Sequence, residues 1–276
     1  MDARVRRLLT FSCEGAELGA TLDGEGAGAT GLLFVTGGTQ TRIGSHRLFE
    51  RLAAALAAEG IPCFRFDRRG VGDSGGADPG WRGSAPDLAA ATAAFRSASP
   101  RLERVLGIGL CDGATALALF GGEAGLAGAI LLNPWLVEAE PGEPPPAAIK
   151  HHYQTRLSSL LGWRKILAGS VSWTKVLKGV GKIFSGSDSS LGDEVAAALA
   201  ASRFPVEAIL ATDDGTGIAA RHALARPAFA GALRRPPLLL ETSSHTFARP
   251  GDPQRLLHAV RESLARFEPQ TWSAIG

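Results

Sequence analysis

Cysteine is scarce in this 276-residue chain: only Cys13, Cys63 and Cys111. An odd, sparse set with no framework spacing excludes a disulfide scaffold. No pair has the close spacing of a zinc finger, so no metal is expected. A surplus of charge is also missing. The balance of 29 basic against 27 acidic residues, net +2, excludes the strong basic excess of a nucleic-acid binder. No apolar run reaches the roughly 18–20 residues of a membrane span. The basic start, Met1 to Thr10, runs into Phe11-Ser12-Cys13-Glu14-Gly15 and offers no secretory apolar core. A cytoplasmic location is therefore expected. What is present is an apolar content of 45%, enough for a sizeable core. The length suits one large domain over 1–276.

Short apolar runs recur: Gly31–Val35, Ile61–Phe66, Arg104–Ile108, Ala129–Leu132, Val206–Leu210 and Pro237–Leu240. Such runs read as buried strands of a mostly parallel sheet. Helical periodicity separates them. Leu48, Leu52, Ala55, Leu56 and Ala58 share one side before Gly60. Leu88, Ala91, Thr92 and Phe95 mark a second helix, Leu117 to Phe120 a third, and Leu256, Leu257, Val260 and Leu264 the last. Strand alternating with helix predicts a doubly wound α/β sheet with helices on both faces. The segment up to about Leu22 is expected to add two antiparallel edge strands. From about 135 to 201 the alternation stops. A proline-rich loop, Pro141 to Pro146, leads into helical periodicity interleaved with Lys150, Arg156, Arg164, Lys165, Lys175, Lys178 and Lys182. This predicts an inserted helical cap with solvated charges. A membrane-surface contact through the same basic face is the alternative.

The strand at Arg104–Ile108 runs directly into Gly109-Leu110-Cys111-Asp112-Gly113-Ala114. This is the G-x-S-x-G pattern of an α/β-hydrolase nucleophile elbow, with cysteine at its centre. The chemistry needs a sharp strand-to-helix turn that holds the nucleophile clear of the sheet. Glycines on both sides leave room for strand and helix to approach. The helix N-terminus beneath favours a negative sulfur. Cys111 could instead be a small residue filling a tight turn, but its place between an apolar strand and an alanine-rich helix favours the catalytic reading. Cys13 and Cys63 fall in strand patterns and are expected to be inert.

In this architecture the partners follow in chain order as nucleophile, acid and histidine. His245 lies in the loop after the last strand, where a general base can reach the elbow. His151 and His152 fall in the cap, and His222 and His258 on helices. Two aspartates compete for the acid, Asp213 and Asp214. Asp214 is preferred, because a turn through Gly215 and a helix start at Thr216 aim it back at the base. Backbone N–H groups of Gly38 or Thr39 and of Asp112 are the expected oxyanion donors. The carboxylate of Asp112 opposes a thiolate unless it turns away or pairs with an arginine. Arg42, His46 and Arg47, at a helix start nearby, are candidates for binding an anionic substrate group, or else cap a solvent-facing helix. In the turn Phe66-Asp67-Arg68-Arg69-Gly70-Val71-Gly72-Asp73-Ser74, Asp67 and Arg68 are expected to pair with each other and hold loops.

The chain resembles the exosortase A system-associated hydrolase 1 family within the α/β-hydrolases. The resemblance rests on Gly37-Gly38-Thr39-Gln40 with Gly44-Ser45-His46-Arg47, on the cysteine elbow, and on Asn133-Pro134-Trp135. It also rests on the cap stretch from His151-His152-Tyr153 to Trp163–Gly169. Asp213-Asp214 stands where the family pattern has asparagine-aspartate. The resemblance implies a setting among bacterial exopolysaccharide and exosortase systems. Together these features predict a cofactor-independent hydrolase that cleaves an ester, thioester or lactone through acyl-Cys111. The substrate is expected to be a small molecule or a carrier-bound acyl group, with no nucleic acid involved. An acyltransferase with the same cysteine, or a non-catalytic binding protein on the same fold, is the alternative.

Overall fold

The computed structural model describes residues 6–24, 28–137, 190–202, 204–233 and 235–267. Eight strands form one sheet: β1 (Arg6–Cys13), β2 (Ala16–Asp23), β3 (Thr30–Val35), β4 (Cys63–Phe66), β5 (Arg104–Leu110), β6 (Gly128–Leu132), β7 (Val206–Ala211) and β8 (Leu238–Leu240). Their order is β1-β2-β4-β3-β5-β6-β7-β8. β1 pairs antiparallel with β2, and β2 antiparallel with β4. From β4 to β8 every pairing is parallel. The fold is that of an α/β-hydrolase, with the hairpin at its edge where the sequence suggests it.

The parallel strands β3 to β7 are buried on both faces, which is why they read as near-continuous apolar runs, while β8 at the sheet's edge exposes Leu239. β4 is shorter than its run. Ile61 and Pro62 instead close the turn after the preceding helix, with Ile61 N–H donating to Leu56 and Pro62 carbonyl accepting from Leu32. Helix α1 (Leu48–Ala58) turns Leu48, Phe49, Leu52, Ala53 and Leu56 inward. These sit at the i, i+4 spacing that puts one stripe on the sheet. They share a core with Leu32, Phe34 and Ile108, and with Leu256 and Val260 of the last helix, Asp252–Phe267. On the opposite face lie α2 (Ala85–Ala98), α3 (Asp112–Phe120), α4 (Ser190–Ser202) and α5 (Gly215–Leu224). Leu88, Phe95, Leu117, Val195, Leu199 and Ala220 meet there in one cluster. The last helix is α6.

Helix α4 falls at the end of the stretch read as a cap. Its Leu191, Val195 and Leu199 join Leu117 of α3 in the body of the molecule. Residues 138–189, which carry the rest of the expected cap and its basic face, lie outside the described residues. Among the described residues, no helix is long and apolar enough to cross a membrane.

The hydrophobic layers bring the C-terminal ends of β3, β5, β7 and β8 to one edge of the sheet, and each of the candidate site's loops begins there. A second consequence is close backbone packing at the elbow. A Cβ added at Gly113 would stand 2.6 Å from the Thr36 carbonyl oxygen and 2.7 Å from that of Val35. Neither backbone oxygen can swing aside. Gly113→Ala is therefore expected to cost about 1–3 kcal/mol, as overpacking does, measured by urea denaturation.

Candidate active site

Cys111 caps the N-terminus of α3 with φ 59° and ψ −125°. A non-glycine residue holds that conformation only when its surroundings impose it. Here they do: Cys111 N–H donates to the Leu132 carbonyl of β6, and its carbonyl accepts from Ala114, Thr115 and Trp135. Gly109 is required beside it, since a Cβ there would meet the Gly113 backbone at 2.8 Å. The result is a sharp turn that leaves Cys111 partly exposed, whereas Cys13 and Cys63 are buried. Desolvation pushes both buried thiols up, Cys63 well above the ordinary thiol range, so they stay protonated.

His245 follows β8 in a loop held by its own side chains. Thr242 Oγ1 donates to Asp252 Oδ2 at 2.6 Å and accepts from Ser244 N–H at 3.1 Å. Phe247, fully buried with φ 49°, anchors the far end. The imidazole Nδ1 lies 2.9 Å from Asp214 Oδ2. Asp214 caps α5, accepting from Gly217 N–H at 3.0 Å with the same oxygen, and is 6% exposed. Asp213 faces solvent and its carboxylate accepts from the Thr212 hydroxyl. The helix starts at Gly215, one residue before the expected Thr216.

Cys111 is a second side-chain neighbour that acts on the His245 ring. Burial disfavours the imidazolium, but the hydrogen bonds to Asp214 and Cys111 outweigh it and raise the His245 pKa to about 10.

Asn133, at the end of β6, was not singled out for the site by sequence reasoning. It is fully buried with φ 41°. Its Nδ2 donates to the His245 carbonyl at 3.0 Å, and its Oδ1 accepts from Ala211 N–H at 2.8 Å. It thus ties the base loop to β7, from which Asp214 projects. A lone asparagine between an apolar strand and Pro134 was the only available signal. Asn133→Ala is expected to cost about 1–3 kcal/mol by leaving Ala211 N–H unpaired. Guanidinium melts check this, and turnover should fall further than the small change in stability explains.

The three expected anion-binding residues do not converge. Arg42 is drawn away into a network, its guanidinium bonded to Asp67, to Asp73 at 2.7 Å and to Thr21 at 3.0 Å. Arg47 pairs with Glu50 on the surface. His46 lines a cavity of about 250 Å³ between α1 and α6, together with Arg51, Thr246 and Phe247. Asp67 and Arg68 do not pair with each other: Asp67 takes Arg42, and Arg68 takes Asp78 at 3.0 Å. The side chains are long enough to choose partners dozens of residues away, which adjacency in sequence cannot reveal. Of the expected oxyanion donors, Gly38 N–H lies 2.7 Å from the carboxylate of Asp112. Among the described residues no cluster of His, Cys, Asp or Glu could hold a metal ion.

The family model described as serine aminopeptidase, S33, matches residues 33–182, more than half of the chain. The chain belongs to the serine aminopeptidase S33 family. Its members are named for serine, and this one carries Cys111 at the elbow. The S33 chain is similar in fold to the esterase Pf2001 of Pyrococcus furiosus, with 18% identity and a TM-score of 0.66 over 96% of this chain and 92% of that one. It is similar to a dienelactone hydrolase from Anabaena variabilis, at 15% identity and TM-score 0.61 over 97% and 100%. It is also similar to Est1E from Butyrivibrio proteoclasticus, whose structure holds ferulic acid, at 14% identity and TM-score 0.58 over 94% and 98%. No curated protein sequence matches it. The protein is an α/β-hydrolase.

Proposed function

We propose that this hydrolase cleaves an acyl ester, thioester or lactone through a covalent acyl-Cys111 intermediate. The observation that carries this reading is the strained elbow cysteine hydrogen-bonded to a histidine whose far side is held by Asp214. The names of the similar structures, an esterase and a dienelactone hydrolase, support oxygen esters and lactones as the substrate class.

The Cys111 sulfur attacks the acyl carbon, the C–S bond forms, and the carbonyl electron pair moves onto oxygen. The N–H of Asp112, and that of Gly38 once the Asp112 carboxylate has released it, donate to that oxyanion. As the intermediate collapses, the His245 imidazolium gives its proton to the leaving alcohol or thiol. Neutral His245 then takes a proton from water, which attacks the thioester and releases the carboxylic acid. Asp214 keeps the imidazole in the tautomer both steps need. No cofactor takes part in these steps. The resemblance in the cap stretch supports a bacterial exopolysaccharide and exosortase setting, in the cytoplasm, and the proposed substrate is a small or carrier-bound acyl compound.

Alkylation by iodoacetamide, read as intact mass, tests the pair. At pH 6 one site should label rapidly, and Cys111→Ala should remove it. His245→Ala should slow it about tenfold or more, since the adjacent positive charge is lost. Labelling at pH 6 that His245→Ala leaves unchanged refutes the activated pair.

A further inference from the structure

The Gly38 N–H group is not free. It donates to Asp112 Oδ1 at 2.7 Å. The carboxylate is wedged between the β3–α1 loop and the elbow: a Cβ at Gly37 would stand 2.6 Å from Asp112 Oδ1 and 3.2 Å from Cys111 Cβ. No cationic side chain among the described residues pairs with Asp112. Among the described residues the Gly38 amide is its partner, and charge-assisted bonds of this kind are among the strong ones. A substrate carbonyl can take Gly38 N–H only after this carboxylate has left it.

Leaving has a chemical consequence. The displaced carboxylate stays beside the reacting carbonyl, because its backbone is the first residue of α3 and cannot move away. It has lost its donor and lies beside the Cys111 sulfur. An acyl group that carries a hydroxyl or ammonium on the carbon next to the carbonyl returns a donor to it. A plain alkyl acyl group leaves it unpaired, and an anionic one repels it.

Resting on the hydrolase reading above, we propose that Asp112 is a specificity-determining residue: its carboxylate occupies the oxyanion donor of the free enzyme and selects acyl groups bearing a hydroxyl or amino group beside the scissile carbonyl. Asp112 thereby has two roles on one residue. Its N–H serves the oxyanion, and its side chain screens what is admitted.

The test compares S-lactoyl with S-propionyl N-acetylcysteamine, which differ only in the 2-hydroxyl. The wild type should favour lactoyl by about tenfold or more in kcat/KM. Asp112→Ala keeps the backbone donor, so it should raise the propionyl value and bring the ratio close to one. Asp112→Asn, which holds the shape, should fall between. Thermal melts confirm that each variant folds. Amide NMR supplies a readout that needs no turnover: the Gly38 proton, pulled downfield by the carboxylate, should move upfield in Asp112→Ala. Equal use of both thioesters by the wild type, or a lactoyl preference that survives Asp112→Ala, overturns the proposal and leaves the hydrolase reading standing. A Gly38 amide that does not move overturns it as well. If neither thioester is cleaved and Cys111 fails to alkylate rapidly, the hydrolase reading falls, and this proposal with it.

Discussion

Cys111→Ala is expected to lower acyl-ester turnover by about 10⁴-fold or more, because losing the nucleophile of a concerted set removes nearly all the set achieves. Its melting temperature should stay close to that of the parent. Alanine inherits the same turn, and the sulfur is only partly buried. Cys111→Ser is the sharper comparison. A hydroxyl cannot pre-ionise beside His245 and needs its proton removed during attack. Serine is nonetheless what the family is named for. If the serine variant matches the cysteine enzyme, the thiolate–imidazolium pair has no catalytic role. The acid residue has a separate signature in stability. His245 rises from its ordinary 6.5 to about 10 with Asp214 among the causes. A raised histidine stabilises the fold fully below about pH 6.5 and loses that contribution as pH climbs through about 10. The melting-temperature gap between the parent and Asp214→Asn should thus be widest in mild acid and narrow through that window.

Asp67→Ala should destabilise the fold by about 1–3 kcal/mol, because it leaves buried donors unpaired while Arg42 keeps Asp73 and Thr21. Asp67 is fully buried, and one carboxylate serves three donors: the Arg42 N–H, the Arg42 guanidinium and, at 3.1 Å, Asp73 N–H. Arg42 lies at the end of the loop that presents Gly38, so activity should suffer beyond the loss of folded protein. The neighbouring buried pair reinforces the same corner. Arg65, 2% exposed, bonds Asp23 at 2.7 Å and the Arg42 carbonyl at 3.1 Å. Urea melts of Asp67→Ala beside Asp67→Asn separate the lost charge from the lost shape. A cost below about 1 kcal/mol for the alanine variant contradicts the account.

Features legible in the sequence were those written in local spacing. The elbow depends on glycines two residues either side of Cys111, and both prove indispensable for the same steric reason. The parallel strands β3 to β7 are legible because burial on both faces makes them near-continuous apolar runs, and the short edge strand β8 is apolar as well. Asp214 was preferred over Asp213 on the direction of a turn, and its carboxylate is the one beside His245. The features that stayed hidden join distant parts of the chain. The sequence offers Arg42 either as an anion-binding residue or as part of a solvent-facing helix start, yet Asp67 and Asp73 claim it from 25 and 31 residues away. The Gly38–Asp112 bond spans 74 residues, and Asn133 reaches 112 residues to His245. Side-chain reach of this kind has no period and leaves no trace in composition.

The burial of two thiols bears on oxidative damage. Cys13 lies on β1 at the sheet's outer edge, and Cys63 at the start of β4, the end of the strands remote from the elbow. Of the three thiols, peroxide therefore meets one accessible group, Cys111. A sulfenic acid formed at Cys111 has no second cysteine in its own chain with which to close a protective disulfide. Its rescue depends on a thiol supplied by the surrounding medium, and without one a second equivalent of peroxide carries it to the irreversible sulfinic state.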